Sequence, residues 1–164
     1  MPNNLTGTTN FFTFTVKPTV DEFLNDLGNV RRGRLACIVL YHVADYWALG
    51  AHEKDFPIAS LHKEITTLHK ELILECPEFN LVRDVADASK HAQLSKQMAI
   101  PRVLSLSEQV TSSPGIFHAP FGEGVFSGAS IVMVTLDDRT THPLPDAVRS
   151  VLSMWERKVY PHKS

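Results

Sequence analysis

The run Leu35–Leu49, LACIVLYHVADYWAL, decides the fold. Its apolar residues leave no clearly polar side for a helix, and only His42 and Asp45 interrupt it. A helix that is apolar almost all round belongs in the middle of other elements. A bilayer crossing takes about 20 consecutive apolar residues, so this run is too short and too polar at its middle to serve as one. Asn29 is placed to cap the helix and Gly50 to stop it. The segment therefore reads as the central helix of a bundle.

Working outward, Thr19-Val-Asp-Glu22 has capping-box spacing. Phe23, Leu24 and Leu27 then predict a short amphipathic helix that ends at Gly28. Before it, Phe11–Val16 alternates aromatic or β-branched residues with threonine, which predicts a short edge strand ended by Pro18. On the other side, Asp55–Pro57 reads as a helix start. Ile58, Leu61, Ile65, Leu68 and Leu72 form a 3-4 seam behind it. Pro77 closes that helix and opens the next, predicted over Glu78–Met98. Along it Leu81, Val82, Val85, Ala88, Ser89 and Ala92 share a face.

The pattern changes at Pro101. Val103–Val110, Ile116–Phe121 and Ser130–Leu136 are short β-rich runs, and Asp137–Thr140 reads as a hairpin turn. Asp146–Tyr160 is an amphipathic helix with Val148, Val151, Leu152 and Trp155 on its apolar face. The expected class is α+β, mainly α: a four-helix-type bundle with a small antiparallel sheet and a C-terminal helix. One domain over 1–164 is expected, with 1–100 mainly helical, 101–145 β-rich and 146–160 the last helix.

A hydrophobic content of 43% over 164 residues suffices for a core, so disorder is excluded as a class. The net charge is −2 at pH 7, which provides no broad field toward nucleic acid or membrane. Eight histidines make that balance cross zero just below neutrality. Cys37 and Cys76 lie far apart with no CxxC pair, and Met1–Asn10 has neither the basic nor the apolar region of a secretory signal. The expectation is a reduced, cytoplasmic setting with no membrane partner.

Chemistry concentrates on two helices. His42 and Asp45, spaced i,i+3, share one side of the central helix, where an unpaired buried carboxylate would be costly. They are either a polar pair that fixes helix register or the lining of a cleft. The second group is Arg83, Asp84, Asp87, Lys90 and His91. Asp84 and His91 fall on the flank of the apolar face, with Arg83, Asp87 and Lys90 pointing further out. This is either a solvated, ion-paired face or the opposite wall of that cleft. Arg31, Arg32 and Arg34 form a small basic cluster at the start of the central helix, able to meet an anion. The other histidines (His52, His62, His69, His118, His142 and His162) form no metal-binding spacing, so neither metal nor other cofactor is expected. Phosphate-binding and nucleophile-elbow motifs are absent.

Arg83-Asp84 followed by His91 resembles the HEPN superfamily of small helical-bundle proteins. Its active members cleave RNA without metal, using an arginine and a downstream histidine on one helix. The resemblance implies His91 as general acid or base, Arg83 as stabiliser of phosphorane charge, and Asp84 or Lys90 as assistants. The seven residues between Arg83 and His91 exceed that family's spacing. Asp84-Val-Ala-Asp-Ala-Ser-Lys-His91, with Asp45-Tyr-Trp47, is similar to a helix pattern D-x-A-[ND]-x-x-K-H of small bacterial proteins, a likeness that implies no activity.

The leading expectation is a binding or regulatory module. Its polar cleft would lie between the central helix (His42, Asp45) and the Arg83–His91 helix (Asp87), for a protein or small-molecule partner. The alternative is a HEPN-like ribonuclease, and RNA is a partner only there. A weaker one is a metal-assisted hydrolase using His42, Asp45, Asp87 and His91. Whether the chain forms a homodimer stays open.

Overall fold

The computed structural model describes residues 6–50, 57–95, 99–113 and 129–161. The predicted run Ile116–Phe121 and the helix start at Asp55 lie outside them. The architecture is mainly α with a small antiparallel sheet. Helices α1 (Thr6–Phe11), α2 (Lys17–Leu24), α3 (Val30–Gly50), α4 (Ile58–Glu75) and α5 (Glu78–His91) precede strands β1 (Val110–Ser112), β2 (Val132–Thr135) and β3 (Thr141–Pro143), and α6 (Leu144–Val159) closes the chain. Among the described residues no helix is long and apolar enough to cross a membrane.

The predicted edge strand Phe11–Val16 is a π-helical turn, Phe12–Val16, joining α1 to α2. Phe12, Val16, Val20 and Phe23 are all fully buried, whereas Phe14 is 76% exposed. A strand would have buried Phe12, Phe14 and Val16 together. Steps of four, four and three are helical, and they override the local alternation. The Lys17 N–H reaches Phe12 O, five residues back, and Pro18, which has no N–H, follows at the opening of α2.

Helix α3 is central without being enclosed. Gly33, Ala36, Cys37, Leu40, Val43, Ala44 and Ala48 are buried. Leu35, Tyr46 and Leu49 are exposed apolar residues on its outer side, along with His42. The expectation of burial all round is corrected accordingly. Asn29 caps the helix as its sequence position predicts: its Oδ1 accepts the Arg32 N–H at 3.1 Å. Helix α1 lies along the far end of α3, where the Thr8 hydroxyl donates to Tyr46 O at 2.9 Å and Phe11 stacks on Tyr46 with ring centroids 4.1 Å apart. On another side the buried Trp155 of α6 donates its indole N–H to Leu40 O at 3.1 Å, so the largest core side chain leaves no unmet donor.

Helix α5 stops at His91, seven residues before the predicted Met98. Ala92 sits at φ 49, and Gln93 instead bridges Leu106 in antiparallel fashion. Of the predicted run Val103–Val110, only Val110 enters a strand. Ser107–Gln109 forms a 3₁₀ turn, and the Gln109 amide holds the backbone N–H groups of Ser105 and Leu106 on one side and Thr135 O on the other. The sheet order is β1-β2-β3, with Val110 opposite Val134 and Val134 opposite His142. Asp137–Thr140 makes the β2–β3 turn as predicted, with Arg139 at φ 71 and the Asp138 carboxylate accepting the Thr140 N–H.

The α2–α3 turn runs hard against the start of β2: the Val132 N–H donates to Leu27 O at 2.8 Å. A Cβ at Gly28 would stand 2.8 Å from the Ser130 backbone oxygen and side chain. Gly28→Ala is expected to destabilise the fold by about 1–3 kcal/mol through overpacking, seen as a lowered urea midpoint with unchanged m.

Candidate functional site

Arg83, Asp84 and Asp87 of α5 join a network with Arg102 rather than forming an outward face. Asp84 is fully buried and Arg83 is 4% exposed. Adjacent helical residues do not normally face each other. Here the long arginine stem folds back, so that Asp84 Oδ1 accepts Arg83 Nε at 2.9 Å and Nη2 at 2.7 Å. Arg102 completes it, donating Nη1 to Asp84 Oδ1 at 2.9 Å and to Asp87 Oδ2 at 3.0 Å. The second Asp84 oxygen takes the Val103 N–H at 2.7 Å, and Arg83 Nη2 also donates to Pro101 O at 3.1 Å. Two guanidinium groups face two carboxylates, so the charge of the network sums to zero. Arg83 does not point outward as the helical wheel predicts, because the Pro101–Val103 backbone returns over α5 and covers it.

Lys90 and His91 are exposed on the last turn of α5 and take no part in this network. His42 and Asp45 lie on the open side of α3, 51% and 41% exposed, with His42 Nδ1 3.2 Å from Asp45 Oδ2. The expected interior position of this pair is therefore corrected, although the two do partner each other. Among the described residues no three His, Cys, Asp or Glu side chains gather as a metal ion would need. Burial pushes the Cys76 thiol up to about 11, with Glu78 adding to it, and raises the Cys37 thiol as well. Both shifts disfavour the thiolate that a nucleophilic cysteine needs.

Three residues outside the predicted set border the same region. Tyr41 of α3, His69 of α4 and Phe79 of α5 pack with ring centroids 5.2 to 6.2 Å apart. Burial pushes the Tyr41 phenol up to about 12, and the Asp87 and Asp45 carboxylates push it the same way against Arg83 and Arg102. His69 is 7% exposed, and its Nε2 is buried without a hydrogen-bond partner among the described residues. Its position one residue past Leu68 and three before Leu72, on the seam of α4, was the available signal for its burial. Arg102 carried no such signal, since it meets Asp84 only through the chain's return.

No family model, curated protein or solved structure matches this chain.

Elsewhere, α3 and α5 form a groove of about 340 Å³ lined by Val30, Arg31, Arg34, Leu35, Ile38 and Ser89. The predicted basic cluster is divided here. Arg32 is held by Asp26 at 3.0 Å, and Arg34 donates Nη2 to Ser107 O at 2.8 Å, while Arg31 is exposed. The groove thus has an aliphatic floor and a cationic wall.

Asp84→Asn leaves two buried guanidinium groups facing a weakened counter-charge. It is expected to cost about 3–5 kcal/mol, measured by urea unfolding. The His69 imidazole has its pKa lowered, first by burial, with Arg83 acting in the same direction and Asp45 and Asp87 opposing. Below about pH 6.5 the unfolded chain takes up a proton that the folded chain refuses, so stability falls as pH drops from there through the folded value. The steepest slope for one group is about 1.4 kcal/mol per pH unit. His69→Phe is expected to remove this component, read as a flatter stability profile between pH 5 and pH 6.5 than that of the parent.

Proposed function

We propose that this chain acts by binding, as a partner-recognition or regulatory module, and that the α3–α5 groove is its binding face. The observation that carries this reading is the division of labour on α5. Arg83, the charge stabiliser of the ribonuclease alternative, and Asp84, one of its two assistants, are enclosed in an internal network, while His91 and Lys90 are exposed. Phosphate would have to break that network to touch the Arg83 guanidinium, and breaking a buried ion pair costs several kcal/mol. The α3–α5 groove instead brings Val30, Leu35 and Ile38 together with Arg31 and Arg34, the composition of a site that takes an apolar group carrying negative charge.

Two measurements test this. Anilinonaphthalene sulfonate, which is apolar and anionic, is expected to bind the parent chain. Leu35→Asp is expected to weaken that binding roughly tenfold, since one aliphatic contact is worth about 1.5–3 kcal/mol. Structured RNA incubated with excess protein is expected to stay intact. RNA cleavage that persists in EDTA and disappears in His91→Ala would overturn the reading in favour of a ribonuclease.

A further inference from the structure

The groove residues on α3 form one stripe: Arg31, then Arg34 and Leu35, then Ile38, at i, i+3, i+4 and i+7. At 1.5 Å per residue this stripe is about 10 Å long, two helical turns. A docked helix presents its own apolar residues at the same intervals, so two turns of a partner helix fit the groove's length. The floor offers Val30, Leu35 and Ile38, and Leu35 is 38% exposed as it stands. Leu106, 36% exposed, adjoins Ser107, whose carbonyl holds Arg34.

The charges at this end point one way. Among the described residues, Arg31 and Arg34 line the groove and no carboxylate does. Ser89 forms the α5 side, and the next two residues, Lys90 and His91, are exposed. Arg32 is already paired with Asp26. Among the described residues the shielded Nε of Arg34 has no hydrogen-bond acceptor. Nucleic acid is the poorer match. It is held mainly through phosphate and sugar, which gain nothing from an aliphatic floor, and the chain's net charge is −2.

Building on the binding reading above, we infer that the α3–α5 groove takes an acidic amphipathic helix of a partner protein. Leucine-type residues of that helix lie on Val30, Leu35 and Ile38, and its flanking carboxylates face Arg31 and Arg34. The arginines supply register and fast encounter, and the aliphatic contacts supply most of the affinity.

The test uses the full chain and two labelled helical peptides. Both carry leucine at i, i+3, i+4 and i+7. One has glutamate on both flanks and the other has lysine. By fluorescence anisotropy in low salt the glutamate peptide is expected to bind roughly tenfold tighter than the lysine peptide, with the difference shrinking as salt rises. Arg31→Glu is expected to reverse that preference. It leaves the fold intact, since a carboxylate in the first turn suits the helix dipole. Leu35→Asp is expected to abolish binding of both peptides while the thermal melt is retained. Equal binding of the two peptides overturns the inference, as does binding that ignores both substitutions. A preference for single-stranded RNA or anionic vesicles over the acidic peptide also overturns it, as does a concentration-dependent dimer lost in Leu35→Asp. If anilinonaphthalene sulfonate still binds through Leu35 while neither peptide does, the acidic helix falls and the binding reading stands. If all three probes fail, both fall.

Discussion

The structure depends on one carboxylate. Asp84 has no exposure to solvent, yet it receives three guanidinium N–H groups on one oxygen and a backbone N–H on the other. Removing such a group from water costs several kcal/mol, and the cost is met only when its acceptor sites are filled. Filling them requires the chain to come back from α5 and lay Pro101, Arg102 and Val103 over the helix. That return carries the chain toward the β1 edge, so the link between the helical part and the sheet is polar at its root. The aliphatic core then does the ordinary work of stabilisation around it: a single cluster of buried side chains extends from Phe12 to Val159.

The same constraint separates two kinds of residue on α5. Those near Asp84 are consumed by internal satisfaction, and those one to two turns later are exposed at the helix end. On α3, Arg31 and Arg34 are followed by Leu35 and Ile38 along one stripe. The proposed binding role rests on this separation, with Arg83 and Asp84 enclosed and the α3–α5 groove open. His69 belongs to the enclosed side. Its ring sits among Tyr41 and Phe79, so the packing of α4 against α3 and α5 includes one group that prefers to be uncharged.

Helices α3 to α6 were legible because their apolar residues recur at helical intervals, with Asn29 capping α3 and Pro77 opening α5, although α6 begins two residues before the predicted Asp146 and α5 stops short of Met98. The turn Asp137–Thr140 was legible from its own residues. Phe11–Val16 was misread because alternation over five residues is a weaker signal than the longer Phe12, Val16, Val20, Phe23 spacing that contains it. The exposure of His42 and Asp45 was hidden by Leu35, Tyr46 and Leu49, apolar residues that remain on the open side of α3. Burial of Arg83 could not be read from α5 alone. A helical wheel assigns faces from one segment, and the covering partner lies about 20 residues away at Arg102. The groove was only half visible, since Arg31 and Arg34 were apparent as a basic cluster and Ser89 as a small residue on another helix.

The π-helical turn has a consequence of its own. A helix that widens to five-residue spacing contains one residue more than a regular α-helix needs over the same stretch. Loss of one residue between Phe12 and Val16 would let α1 and α2 fuse into one regular rod. Everything before the deletion would then swing by about 100°, the angle of one helical residue. Thr8 would leave the Tyr46 carbonyl and Phe11 would leave the Tyr46 ring, while Val20 and Phe23 stayed in the core. The extra residue acts as a phase adjuster. It allows one continuous amino-terminal segment to satisfy two sections of α3 whose surfaces are out of step.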